Sequence, residues 1–316
     1  MNQSKQITDG ALLIAVFVIA MLFAIYLPFV MLFMIFFLPV PFVIYAAKYD
    51  WKPTLIMIAA TIILSILIVS PFVTIMSIPL TVLAGASGLL IGHAIHQQLS
   101  PYETWARGAV GYVAGLFFIF VFTQSLLDIN WFVEINMVFE ESLQISKELI
   151  DQIGLINIGE EEFNIIQEQF AYMTNLIPAG MAMMAIFMGL ITQWLSYKVI
   201  NRLDKKQLAF PPFRHFKLPV ALIWIYFIAI IVTLFDMDPN DFIYVAATNV
   251  LVLVGLLITL QGFSFIFYYT HMKKWSNAIP VIVIIISVLM PTILLYFVRM
   301  IGIIDLGFNL RNRVTK

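Results

Sequence analysis

Long apolar blocks recur along the chain from Gly10 to Ile304, and they constrain the fold more than any other feature. A helix that crosses a bilayer needs about 20 mostly apolar residues. Blocks near or above that length cover residues 10–27, 29–47, 53–70, 72–97, 106–127, 175–197, 218–235, 242–270 and 278–297. Hydrophobic residues make up 62% and charged residues 11% of the 316 residues, so a soluble fold could not cover its own apolar surface. The sequence therefore predicts an all-α, polytopic transmembrane helical bundle of about eight or nine helices in a lipid bilayer.

Lysine and arginine in the predicted loops indicate the orientation, because cytoplasmic loops of membrane proteins carry an excess of these residues. The segment 198–217 carries six bases and one acid, Asp204. Bases of three other predicted loops fall on the same side if the blocks alternate: Lys48, Lys52, Arg107, Lys273 and Lys274. We therefore predict a cytoplasmic amino terminus and interpret the first block as a retained helix, since no small-residue cleavage site follows it.

The carboxyl end leaves two topologies open. Nine full crossings would place Arg311, Arg313 and Lys316 outside the cell. Alternatively, Pro291 divides the last block into two short arms that enter and leave on the cytoplasmic face. A single block from residue 279 to residue 297 is the simpler geometry, so nine crossings are the favoured interpretation.

One predicted loop, residues 129–173, is long and acidic, with nine acids and a single base, Lys147. Its apolar residues recur at helical spacing in two runs, which Gly154 and Gly159 separate. The acids at 160–162 suit the positive end of a second helix. We expect an extracytoplasmic amphipathic helical hairpin whose apolar stripe lies on the protein or on the membrane interface. A simple connector is the alternative.

Small residues spaced four apart are placed for close contact between helices in lipid. Two strips contain glycine, and internal packing of the bundle is their favoured interpretation: Ala84, Gly88 and Gly92, then Gly111 and Gly115. A third pair, Ala11 and Ala15, lies near the predicted cytoplasmic end of the first helix. We interpret that pair as a candidate docking surface for a partner protein.

Polar side chains within the apolar blocks are few, and burying each of them in lipid is costly. They are Gln124, Asp128, Gln193, Asn249, Gln261, Arg299 and Asp305. Gln124 and Asp128 lie one helical turn apart, near the predicted outer end of their helix. With Asn249, they are candidates for a substrate site that opens outward beneath the acidic hairpin. The alternative is that they are ordinary interface residues at a helix end.

Several classes of function lack support in the sequence. Cysteine is absent, and the net charge of −1 gives no electrostatic case for binding nucleic acid. His93, His96 and Glu103 have a spacing seen in metal sites, but no full ligand set accompanies them, so we predict neither a metal nor a cofactor. The zinc-protease, nucleophile-elbow and phosphate-loop signatures are also missing. We therefore predict no enzymatic activity, and any ATP-driven step would need another subunit.

Four stretches of the chain resemble the YybS family of bacterial membrane proteins. They are T-D-G-A-L-L-I-A (Thr8–Ala15), L-P-V-P-F-V-I-Y-A-A-K-Y (Leu38–Tyr49), G-A-S-G-L-L-I-G-H-A (Gly85–Ala94) and G-I-I-D-L-G-F-N-L-R (Gly302–Arg311). The resemblance spans nearly the whole chain and implies a multi-pass protein of the bacterial cell membrane.

That family is similar in turn to the S components of energy-coupling-factor transporters. In those proteins six helices bind a vitamin or metal from outside, an alanine-xxx-alanine motif in the first helix docks a transmembrane coupling subunit, and separate ATPases drive the cycle. The resemblance implies that residues 1–205, including hairpin 129–173, form a six-helix S-component-like core. Residues 206–316 would then add carboxyl-terminal transmembrane helices, and Ala11 and Ala15 would dock the coupling subunit.

The resulting hypothesis is a substrate-binding or transport-associated subunit for a small molecule that the sequence does not identify. The alternative is a non-transporting membrane scaffold or regulatory protein that engages other membrane or cytoplasmic partners. The extra carboxyl-terminal helices and the basic segment 198–217 favour that alternative, because a basic segment can bind anionic lipid or a cytoplasmic protein.

Overall fold

A computed structural model describes residues 3–68, 71–153, 160–239, 241–276 and 278–314. In these ranges the regular elements are α-helices and one 3₁₀ turn, which confirms the all-α prediction. The helices are α1 (Gln3–Tyr26), α2 (Pro28–Phe37), α3 (Val40–Tyr49), α4 (Trp51–Ile68), α5 (Pro71–His96), α6 (Pro101–Leu127), α7 (Trp131–Ile153), α8 (Glu160–Asn175), α9 (Ile177–Asp204), α10 (Ala221–Thr233), α11 (Phe242–Met272), α12 (Ala278–Leu289), α13 (Pro291–Phe308) and α14 (Leu310–Val314).

Seven helical stretches of the described chain are long and apolar enough to cross a membrane. They are α1, the pair α2–α3 counted from Phe29 to Tyr49, α5, α6, α9, α11 and α13. Three further apolar helices, α4, α10 and α12, are shorter. The prediction of a polytopic transmembrane helical bundle is therefore confirmed.

The chain forms two compact units. The first comprises Met1–Ile158 and Met181–Phe210, and the second comprises Gly159–Gly180 and Pro211–Lys316. The main boundary, after Phe210, lies close to the predicted division at residue 205. Helix α8 belongs to the second unit, whereas the sequence hypothesis assigned the whole hairpin segment to the amino-terminal core. The S-component-like character of that core stays a prediction.

Helix α5 is the central helix of the first unit, and two of its glycines, Gly88 and Gly92, lie where it meets α3. A Cβ atom at Gly88 would lie 2.6 Å from the Cβ of Phe42. One at Gly92 would lie 2.5 Å from the Cβ of Ala46. Both distances are shorter than any ordinary carbon contact, so only glycine allows the two helices to approach this closely.

The opposite side of α5 meets the second glycine strip, which lies on α6. A Cβ at Gly111 would lie 2.7 Å from the Cα of Ser87, and one at Gly115 would lie 2.6 Å from the Cα of Leu83. Ala84, next to Leu83, is almost fully buried. Both predicted strips therefore lie inside the first unit, where α5 is packed between α3 and α6 at close backbone distance.

Both helices of the acidic segment are present as α7 and α8, and the connection with Gly154 and Gly159 lies outside the described residues. The start of α7 is joined to α6, because the indole of Trp131 donates a hydrogen bond of 2.7 Å to the hydroxyl of Thr123. Within the first unit, large apolar side chains of α7 are exposed: Trp131, Phe132, Val133, Met137, Val138, Ile145 and Leu149. Their placement outside the cell remains a prediction.

The last apolar block does not form a single crossing. Helix α12 ends at Leu289, Met290 has non-helical dihedral angles (φ −126°, ψ 65°), and α13 begins at Pro291. Proline suits the first position of a helix, where its missing N–H has no helical partner to lose. The favoured prediction of one helix over residues 279–297 is therefore wrong, because Pro291 starts a new helix.

Helix α13 runs parallel to α11. Three contacts show this, since Arg299 with Gly255, Gly302 with Ile258, and Asp305 with Gln261 are each separated by the same 44 residues. A constant separation means that the two helices advance in the same direction. The intervening helix α12 must therefore return the chain before α13 starts.

The end of α13 consequently lies beside the end of the basic segment. The guanidinium of Arg311 donates hydrogen bonds of 2.8 and 3.0 Å to the carbonyl oxygens of Arg214 and Phe216, and Lys217 donates one to Asn309. The nine-crossing topology, which put Arg311 and Arg313 on the opposite side, is wrong for this end. The alternative with a division at Pro291 describes it, while Lys316 lies outside the described residues.

Single cysteines can test this topology, because the native chain has none. We expect Asn312→Cys and His215→Cys to react with a membrane-impermeant maleimide from the same side of the membrane. Asp236→Cys, beyond the far end of α10, should react from the opposite side. Labelling in intact cells and in inverted vesicles measures this, and labelling of position 312 together with position 236 would contradict the arrangement.

Candidate functional site

Helix α1 has one face inside the first unit and one face on its surface. Phe17 and Met21 are fully buried in the core of that unit. Ala11 and Ala15 lie on the exposed side of the helix, next to the exposed side chain of Leu12. The predicted docking pair therefore lies on the surface of the unit, where a partner helix could approach the backbone closely.

Polar contacts fix the turn of α1 that precedes this pair. The carboxylate of Asp9 accepts a hydrogen bond of 2.5 Å from the ammonium of Lys48 and one of 2.6 Å from the hydroxyl of Tyr49. A Cβ at Gly10 would lie 3.3 Å from the ring of Tyr45. The start of α1 is thus tied to the last turn of α3, and the exposed face of α1 has a defined position in the first unit.

A second polar group lies at the same end of the first unit. Asp50 has a positive φ of 72°, and its carboxylate is 2.6 Å from Nδ1 of His93. Burial opposes ionisation of this carboxyl, but hydrogen bonds from the Trp51 amide and from His93 outweigh it, so the pKa of Asp50 lies below its usual value. Ionised Asp50 therefore links the start of α4 to the last turn of α5.

The three residues with metal-like spacing have separate partners. Nδ1 of His96 is 3.2 Å from the carbonyl oxygen of Ala47, whereas His93 contacts Asp50. Glu103 is the acid of a capping box at the start of α6, in which Ser100 is the other member. In the described part of the chain, no three histidine or carboxylate side chains are grouped as metal ligands would be.

Two cavities adjoin this end of the first unit. The larger, of about 780 Å³, is lined by Lys48, His96, Tyr197, Asp204 and Lys206 among others. The smaller, of about 210 Å³, is lined by Asp9, Leu12, Lys48, Leu203 and Asp204 among others. Lys48 and Asp204 line both cavities. The sequence predicted neither cavity, and the smaller one lies beside the turn of α1 that precedes Ala11 and Ala15.

Gln124 and Asp128 are exposed at the end of α6. Asp128 has left-handed dihedral angles (φ 53°, ψ 25°) and ends the helix, with its amide donating to the carbonyl of Thr123. Aspartate tolerates this conformation better than most residues with a side chain. Asp128 therefore has a local structural role, and a contribution of the two residues to substrate binding stays a prediction.

Asn249 is buried in the second unit, and both polar atoms of its side-chain amide form hydrogen bonds within that unit. Its nitrogen donates to the carbonyl oxygens of Asn175 and Val245, at 2.7 and 2.8 Å, and its oxygen accepts from the amide of Ala179 at 2.8 Å. Residues 175–179 include the break between α8 and α9, where backbone groups need partners. Asn249 thus supplies those partners, and both of its N–H groups are engaged.

A buried polar cluster that sequence reasoning did not assemble lies in the second unit. The Asp305 carboxylate accepts hydrogen bonds from Gln261 at 2.6 Å and from Arg311 at 3.0 Å. The Gln261 oxygen accepts from the amide of Leu218, and Arg311 also bonds to Ser264. The sequence analysis named Gln261 and Asp305 among the few polar side chains of the apolar segments, but it did not include Arg311, their common neighbour in this cluster.

The helices, their apolar surfaces and their few internal polar groups define an all-helical, multi-pass membrane protein. The chain belongs to the family described as "Predicted membrane protein (DUF2232)", which matches residues 15–306. It is also 26% identical over 314 residues to "Uncharacterized protein YybS" of Bacillus subtilis (strain 168), an alignment that covers 99% of this chain and 100% of that protein. No solved structure matches the chain.

Proposed function

We propose that the protein is a substrate-binding or transport-associated membrane subunit that docks a transmembrane partner through the face of α1 around Ala11 and Ala15. The observation that carries the proposal is the exposure of both alanines on a helix whose other face is buried. In lipid, small exposed residues let a second helix come close enough for backbone contacts. The resemblance to S components that we inferred from the sequence supports this role, because those proteins use an alanine pair in the first helix for such docking.

The surroundings of the alanine pair support a docking role. Asp9, Lys48 and Tyr49 fix the preceding turn of α1, so a partner meets an ordered surface and little conformational entropy is lost on binding. The two adjoining cavities offer Lys48, Lys206 and Asp204 at the predicted cytoplasmic end. A coupling subunit with separate ATPases would engage this end, while the substrate would enter from the opposite side, near Gln124 and Asp128.

The docking test compares bulky substitutions on two exposed surfaces of the first unit. Ala11→Leu with Ala15→Leu should reduce recovery of a membrane partner at least about tenfold, because leucine side chains would separate the helices. Ala59→Leu with Ala114→Leu is the matched control, since both alanines are exposed on other helices. Recovery is measured by cross-linking in membranes, gentle purification and mass spectrometry.

The comparison of the two double variants separates specific docking from non-specific association. Equal recovery by both double variants would remove α1 as the docking face. The recovered protein is expected to carry transmembrane helices of its own, and recovery of only soluble proteins would also contradict the proposal.

A non-transporting scaffold or regulator is the second candidate. The engagement of both N–H groups of Asn249 favours it, because that residue then has fewer groups to offer a substrate. Native mass spectrometry of the purified complex discriminates the two roles. A bound small molecule supports the transport-associated subunit, whereas a partner recovered through α1 without any small molecule supports the scaffold.

A further inference from the structure

Arg299 is a cation in the middle of an apolar helix, α13. It is the ninth of the 18 residues of α13, which is long and apolar enough to cross a membrane. An ionised side chain in such a segment is costly unless partners compensate it, and such residues commonly mark functional sites. The partners of Arg299 therefore bear on function.

The neighbours of the guanidinium are neutral. Nε donates to the hydroxyl of Thr259 at 3.3 Å, and Nη1 donates to the hydroxyl of Tyr226 at 3.2 Å. The rings of Tyr226 and Tyr296 lie 5.9 and 5.3 Å from Cζ. In the described ranges, the ion pairs within 4.0 Å involve other residues, and Asp305 on the same helix is already paired with Arg311. The positive charge of Arg299 thus has no carboxylate partner in the described part of the chain.

The protein provides a fitted space for this side chain. A Cβ at Gly255 would lie 3.0 Å from Cζ of Arg299, so the glycine lets the guanidinium lie against α11. Thr259 and Tyr226 are buried, whereas Tyr296 is 61% exposed. The surroundings of the guanidinium are therefore accessible from the side on which Tyr296 lies. The hydroxyl of Tyr226 accepts a hydrogen bond from Arg299. The hydroxyl hydrogen of Tyr226 can therefore be donated to a further acceptor.

We propose that Arg299 binds the oxyanion of an amphipathic molecule, a phosphate or carboxylate that carries an apolar chain. A guanidinium binds such oxyanions through paired, charge-assisted hydrogen bonds, and these strengthen where water is excluded. The apolar chain would lie along the exposed side chains of Tyr296 and Met300 on α13. The site lies within the second unit and does not depend on docking through α1.

The test uses purified protein in lipid nanodiscs made of equal parts phosphatidylcholine and phosphatidylglycerol. Native mass spectrometry counts the lipids of each kind that stay bound after the protein is released from the nanodisc. Wild-type protein should retain phosphatidylglycerol preferentially, and Arg299→Gln should reduce that preference about tenfold, the effect of losing one strong charge-assisted contact. Arg313→Gln, an exposed arginine of the same unit, should leave the preference unchanged.

A second arm distinguishes a lipid headgroup from a diffusible ligand. Dodecyl phosphate is added to nanodiscs of phosphatidylcholine alone, with inorganic phosphate as the probe that lacks an apolar chain. Arg299-dependent binding of phosphatidylglycerol identifies a lipid, and Arg299-dependent binding of dodecyl phosphate alone identifies a diffusible amphiphile. Equal Arg299-dependent binding of inorganic phosphate would overturn the requirement for an apolar chain.

The variant Gly255→Ala keeps the positive charge of Arg299. It therefore controls for the possibility that Arg299→Gln loses the lipid preference because of a folding defect. The added methyl displaces the guanidinium by a few tenths of an ångström, so the preference should fall severalfold while the unfolding temperature stays near that of wild type. If both Arg299→Gln and Gly255→Ala retain the wild-type preference, or if Arg313→Gln lowers it equally, the proposal is overturned.

Discussion

Replacement of Arg311 by glutamine is expected to lower the free energy of unfolding of the second unit by about 3–5 kcal/mol. The carboxylate of Asp305 is 1% exposed and would lose its cationic partner. Its other oxygen, Oδ1, already has no hydrogen-bond partner among the described residues. An unpaired charge left in a buried site costs much more than the pair itself contributes. Denaturant unfolding in micelles, followed by protein fluorescence, measures the change.

Two further variants isolate the role of the pair. Arg313→Gln removes an exposed arginine two residues away and should change the free energy by less than about 0.5 kcal/mol. Asp305→Leu combined with Arg311→Met should recover much of the loss, because no buried charge then remains. Equal destabilisation by Arg311→Gln and Arg313→Gln would show that the ion pair does not hold the end of α13.

Replacement of Gly262 by alanine should destabilise the second unit by about 3 kcal/mol or more. A Cβ there would overlap the carbonyl oxygen of Val298, and one at Gly302 would overlap that of Ile258. These atoms belong to helix backbones and cannot move aside as a flexible side chain would. We therefore expect Gly262→Ala to force α11 and α13 apart, with loss of the contacts between them.

Gly180→Ala is the matched control for this variant. Gly180 lies near the start of α9, and a Cβ there would meet no heavy atom within 4 Å. Alanine is the better helix former by up to about 1 kcal/mol, so that variant should be neutral or slightly stabilised. Thermal unfolding compares the two glycines, and a similar loss of stability at both would mean that close approach of α11 and α13 is not the cause.

Local patterns were sufficient to predict the class of fold. The length and hydropathy of a block determine whether a helix can cross a bilayer, and both are visible in the sequence. The glycine spacing on α5 and α6 likewise predicted close packing, since residues four apart share one helix face. The exposure of Ala11 and Ala15 agrees with their predicted position on a surface, although their docking role is untested.

Features that depend on a break in a helix could not be predicted. Pro291 suits both a kink inside a helix and the start of a new one, and the surrounding apolar residues are the same in either case. The pairing of Asp305 with Arg311 depends on the turn at Asn309, whose φ of 50° redirects the chain after α13. Asn249 meets residues 175–179 only because α8 ends before α9 begins.

The return of the chain through α12 has a consequence for biosynthesis. Helix α12 has 12 residues and is about 18 Å long, too short to cross a bilayer alone. It must therefore enter the membrane together with α13, after both have left the ribosome. Arg311, which donates hydrogen bonds to the carbonyl oxygens of Arg214 and Phe216, is synthesised after both helices. The second unit therefore completes its packing only after α12 and α13 have been synthesised and inserted.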